Sequence, residues 1–257
     1  MQSRRPSTVP PSSLSSSSLS PTCLLSAFVL CVACGSGTQP DAESADDFAH
    51  DNSGSGGSRR SGGMSTSAEI GALDSSKVTH TFEDALGDLQ SCLHSGARRV
   101  EFLGGEIAFY LKINGSGQLV ENYMERSSLG DHETEKCMLS ALAERSWPKP
   151  EGGLFGIAQN SFDFDMVNDV RPPGVWDSNR VDDTIAKLSS KIGDCKGGSG
   201  GQFTATAYID TNGSVLGVGV VAPGAGQDEA SECLAGVVKG AKFDSPGSWA
   251  VKVMFPL

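Results

Sequence analysis

Positive charge is scarce in this chain. Its 20 Lys plus Arg stand against 31 Asp plus Glu, a net charge of -11 over 257 residues. No basic run exceeds the pairs Arg4-Arg5, Arg59-Arg60 and Arg98-Arg99, so the cationic stripe that neutralises nucleic-acid phosphates is missing. Aromatic residues make up only 7%, and no apolar run approaches the roughly 20 residues needed to span a bilayer. The single Cys-x-x-Cys is Cys31 to Cys34, and His50, His80, His94 and His132 stand apart from one another, which argues against a metal site. Gly197-Gly198-Ser199-Gly200-Gly201 lacks the Lys and helix of a phosphate loop, and lacks the strand and helix that flank a nucleophile elbow. Asp210-Thr211-Asn212-Gly213 opens like a calcium loop, but Gly219 stands where the bidentate Glu belongs. Asp163 and Asp165 alternate with Phe162 and Phe164, the pattern of a half-solvated strand whether or not the carboxylates do chemistry. The expectation is a chain with no catalytic residues, no metal and no cofactor.

What is present begins with an address. Residues 1 to 40 hold no Asp, Glu or Lys, carry Arg4 and Arg5, and contain the run from Leu24 to Ala33. A basic segment followed by about ten apolar residues is the pattern of a secretory signal. The run ends Cys31-Val32-Ala33-Cys34-Gly35, which resembles a bacterial lipobox. Cys34 is the lipidation candidate, palmitate included, on a lipoprotein-type signal of residues 1-33. Ordinary signal-peptidase cleavage after Ala33 fits the same residues. Two or three acyl chains would hold the protein on a membrane surface, where one binds reversibly. From 34 to 76 the chain is mostly Gly, Ser, Asp and Ala, a composition with too little apolar surface to offset its ordering entropy and therefore read as a disordered tether.

The rest looks like one unit written twice. Ile113-Asn114-Gly115-Ser116-Gly117-Gln118-Leu119-Val120 lines up with Ile209-Asp210-Thr211-Asn212-Gly213-Ser214-Val215-Leu216, and the same offset takes Cys137 to Cys233, Trp147 to Phe243 and Pro150 to Pro246. Each unit reads as helix, β-hairpin, helix, strand. Phe82, Ala85, Leu86, Leu89, Cys92 and Leu93 make the first helical stripe, with Thr79 or Thr81 as its cap; Val181, Ile185, Leu188, Ile192 and Cys195 make its counterpart. Hairpins are expected over 106–126 and 202–222. Second helices carry Thr134, Cys137, Met138, Ala141 and Leu142, and Ala230, Cys233, Leu234, Val237 and Val238. Closing strands run over 154–164 and 249–255. The fold class is α+β, two tandem small domains (77-168 and 179-257) joined by a linker over 169-178, with helices on one face of an antiparallel sheet.

Three cysteines, Cys23, Cys31 and Cys34, fall in the signal region and four in the folded part. Four cysteines allow three pairings. The duplication selects Cys92 with Cys137 and Cys195 with Cys233, each tying the first helix of a unit to its second, in the oxidising compartment an exported chain meets.

Ser127-Ser128-Leu129-Gly130-Asp131, then Glu135-Lys136-Cys137, Trp147-Pro148-Lys149-Pro150-Glu151-Gly152-Gly153 and the strand ending Phe162-Asp163-Phe164 closely resemble the AgmX/PglI C-terminal domain, of the TonB C-terminal-like group. The first unit carries every part of that pattern. The second keeps the cysteines, the hairpin and Pro246 but lacks the double Gly, a degenerate copy. The resemblance implies a non-enzymatic module of the bacterial cell envelope, periplasmic or at the outer membrane, linked to motility or envelope assembly. It implies binding of an envelope protein partner at an exposed sheet edge, attachment to a membrane by lipid, and no nucleic acid. A secreted or periplasmic enzyme acting on envelope polymers is the alternative function.

Overall fold

The computed structural model describes residues 68–257, so Cys34, the signal, His50 and most of the tether lie outside the described residues. Two α+β lobes follow one another, each a four-stranded mixed sheet with helices on one face. In lobe 1, β1 (Ala68–Ile70) precedes α1 (Ser75–Gly96), the hairpin β2 (Gly105–Asn114) and β3 (Leu119–Ser127), α2 (His132–Ala143) and β4 (Gly153–Phe164). Strand order is β1-β4-β2-β3.

The apolar spacing predicted for α1 faces inward: Phe82, Ala85, Leu89, Cys92 and Leu93 are buried. Its cap is not Thr79 or Thr81. Asp74 accepts from the backbone N–H of Ser76 at 3.1 Å and of Lys77 at 3.2 Å, while the Thr81 hydroxyl donates to the Lys77 carbonyl inside the helix. The bond from the Ser76 hydroxyl, first among several, holds the Asp74 carboxyl down at about 2. The first turns of α1 are polar, so hydrophobic periodicity placed the start too late. Against α1 and α2 pack Ile107, Phe109, Leu111 and Ile113 of β2, with Met138, Leu142 and Trp147 closing the core.

Lobe 2 repeats the plan with β5 (Gly174–Trp176), α3 (Asp182–Lys187), α4 (Ser189–Lys196), the hairpin β6 (Thr204–Ile209) and β7 (Val215–Val221), α5 (Asp228–Lys239) and β8 (Val251–Pro256). Its order, β5-β8-β6-β7, matches lobe 1. The duplication reaches single hydrogen bonds. Gly117 N–H donates to Asn114 O and Trp147 N–H to Gly117 O, at 2.9 and 3.0 Å; Gly213 to Asp210 and Phe243 to Gly213 repeat them at 2.8 and 2.9 Å. Both glycines have positive φ, +86° and +83°, and an added Cβ would meet the carbonyl of Trp147 or Phe243, so no other residue makes this turn without strain.

Two further expectations are corrected. The sheets are mixed, not antiparallel, because β1 and β5 add parallel to β4 and β8. These three-residue strands sit in the stretches read as tether and linker, too short for any periodicity to show. The single first helix of lobe 2 is instead α3 and α4, broken at Leu188 (φ -95°, ψ 0°) ahead of Ser189 and Ser190; serines compete for backbone bonds and lower helix propensity there. The two lobes pack on each other. Tyr208, Val221 and Ala250 of lobe 2 are part of the lobe 1 core, and Trp249 stacks edge-on to Phe102 with centroids 5.6 Å apart.

Candidate functional site

Cys92 is bonded to Cys137 and Cys195 to Cys233, with Cα atoms 5.8 and 5.5 Å apart. Each bridge joins a lobe's first helical segment to its second. They are framework, and two other places have the geometry of sites: an open strand edge and the seam between lobes.

The edge belongs to β4. On one side it pairs with β2 along its length; on the other β1 pairs only with Gly153 and Phe155. From Ile157 to Phe164 no further strand lies alongside among the described residues. Gln159, Ser161 and Asp163 are exposed there, and Ser161 N–H, turned away from β2, is met only by the neighbouring Asn160 Oδ1 at 2.9 Å. Such a row of unpaired backbone groups is a template for another strand. The opposite edges, β3 and β7, differ: they lie beside each other at the seam without joining into one sheet, and β7 is buried at every position but Leu216.

The seam has approximate two-fold character. Lys136 pairs with Glu232 at 3.2 Å, its own counterpart under the duplication, and Met124 with Val220 and His132 with Asp228 line one crevice of about 270 Å³. Contact between equivalent positions is the mark of an isologous interface. The symmetry fails on the sheet faces. In β7, Gly217 and Gly219 let lobe 1 come close: a Cβ on Gly219 would overlap the Glu135 carboxyl, and one on Gly217 would meet Val100 and the Gly130 carbonyl. Thr206 donates to the Ser127 carbonyl at 3.2 Å, and the Tyr208 hydroxyl and Lys252 ammonium both donate to the Gly104 carbonyl, at 3.3 and 2.8 Å. Burial lifts the Tyr208 hydroxyl well above its usual range and drops Lys252 to about 8.

Glu135 sits at the centre, 1% exposed. Its Oε1 accepts from Ser127 Oγ at 2.6 Å and lies 3.4 Å from Gly130 N, and Oε2 has no partner among the described residues. Burial pushes it up to about 7. Sequence reasoning quoted this residue only as part of the family pattern and gave it no role, since it falls between the apolar positions of its helix. The readable signal was in the other lobe: glycines at two alternate positions inside a strand mark close backbone approach.

The remaining residues singled out above scatter. On the outer face of α1, exposed His80 lies within ion-pair distance of Glu83 and Asp84, and exposed His94 lies in the last turn. His132 opens α2 with both ring nitrogens shielded and unbonded. Asp163 and Asp165 are exposed at the end of β4, and Asp210 to Gly213 form the hairpin turn. No helix among the described residues is long and apolar enough to cross a membrane. Comparison with protein families, with curated proteins and with solved structures finds no match for this chain.

Proposed function

We propose that this chain is a lipid-anchored, non-enzymatic cell-envelope protein that binds a protein partner by accepting a strand at the outer edge of β4. The open run from Ile157 to Asp163 is the observation that carries the reading. An extended partner segment gains affinity from main-chain hydrogen bonds and selectivity from alternate side chains. Two disulfides suit an exported chain, and the lipobox-like Cys34 at the end of the signal supplies the membrane attachment, with the tether giving reach. The resemblance to AgmX/PglI C-terminal domains points the same way, toward an envelope partner in motility or assembly.

The test is crosslinking in intact cells with a photoreactive residue at position 163, reading membrane and soluble fractions separately, for the parent chain, Cys34→Ala and Ser161→Pro. Proline removes the outward N–H without touching the β2–β4 ladder. A reproducible partner that is lost with Ser161→Pro, and a chain that leaves the membrane with Cys34→Ala, support the proposal. A soluble parent chain with no partner overturns it.

A further inference from the structure

Among the described residues, the seam holds one carboxyl sealed from water with no cation bonded to it. Ser127 and the Gly130 N–H donate to Glu135 Oε1, and no charged or titratable group on the described elements packed against Glu135 bonds to it. At the α2 cap, Asp131 is paired with Arg99. From β8, Lys252 bonds the Gly104 carbonyl and stands 5.2 Å over the Tyr208 ring of β6; without a bond between them, its charge and that of Glu135 attract each other, which only partly offsets the burial of both, and Asp163 of β4 acts on Lys252 more weakly. On α2, Lys136 is paired with Glu232, and the His132 ring is unbonded. From β7 comes only glycine backbone. A protonated carboxyl is tolerated in such a place, whereas a carboxylate is an unpaired charge pressed between two packed surfaces.

We propose that this seam is a pH-operated latch: the lobes are held tightly while Glu135 keeps its proton and less tightly when it ionises, so that β7 is uncovered more often. The docked group titrates near 7 where an exposed one titrates near 4.5. Between those values the docked state binds more protons than the parted one, so docking is strongest below about 4.5, weakens as pH rises and levels off above 7. Lys252 works in a separate window. Docked at about 8 against 10.5 when exposed, it binds fewer protons docked than parted between those values, and docking recovers there as pH rises. The latch is therefore loosest near pH 7 to 8.

Amide hydrogen exchange along β7 in the full chain, corrected for the intrinsic pH dependence of exchange, reads the opening. Protection should fall about fiftyfold between pH 5 and 7.5 in the parent chain and stay level in Glu135→Gln. Carbon-13 titration of the Glu135 carboxyl in the parent chain supplies a second reading should the variant fail to fold. A midpoint near 7 supports the latch. A midpoint near 4.5, or the same fall in protection in the variant, overturns it.

Discussion

In lobe 1 the strand positions that look away from the helices carry Tyr110, Lys112, Glu121 and Tyr123, and these cover one another: the two rings stack at 4.8 Å and the ion pair closes at 3.0 Å. In lobe 2 the matching positions carry Thr206, Tyr208, Gly217 and Gly219, which cover nothing unless lobe 1 lies on them. The inner faces differ as well. Phe82, Phe109, Met138 and Trp147 fill the first core, while Ala205, Ala207, Val218 and Val220 line the second. The first helix of lobe 1 runs 22 residues; its counterpart is two pieces of 6 and 8. A duplicated unit has kept its trace and divided its labour, one copy completing its own surface and the other completed by its neighbour.

The sharpest way to break that contrast is to separate the copies. A fragment of residues 68–170 should fold, with dispersed amide resonances and a cooperative melt, while 171–257 alone should show neither; a cooperatively folding second fragment would refute the asymmetry. Next comes loss of the bridges. Loops of 45 and 38 residues give nearly equal loop-closure terms, about 4 kcal/mol each and model-dependent. Cys92→Ser with Cys137→Ser should nonetheless leave a folded, weakened chain by denaturant melt, while Cys195→Ser with Cys233→Ser should unfold lobe 2 under native conditions.

Gly219→Val drives a side chain into Glu135 and should cost about 2 to 3 kcal/mol in chemical denaturation, with enhanced exchange confined to β6, β7 and the Gly130 turn. At the matching place in lobe 1, Tyr110→Ala removes a stacked pair and half-buried area for about 1 kcal/mol and should leave the seam untouched. Equal costs for these two changes would mean that the outer faces are equivalent after all.

The elements themselves were legible because their signals are local. Offset identity between the hairpins and the stripe from Phe82 to Leu93 needed only the chain's own periodicity, and pairing the cysteines needed only the repeat. What escaped notice arises between segments. β1 and β5 exist because β4 and β8 offer them an edge, and nothing in Ala68-Glu69-Ile70 announces it. Glu135 is buried by a strand about 80 residues later in the chain, so its own helix gives no reason to expect it inside. The α3 to α4 break passed as continuous because apolar spacing persists through Leu188 even where Ser189 and Ser190 disfavour the turn.

The covering of β7 also bears on the order of events at synthesis. Val215-Leu216-Gly217-Val218-Gly219-Val220-Val221 carries no charge and no proline, and left bare it is the kind of edge on which chains join one another. Lobe 1 leaves the ribosome first and contains most of what it needs to fold. By the time β7 emerges its resting place already exists, so the half of the molecule most prone to self-association is born next to its own chaperone.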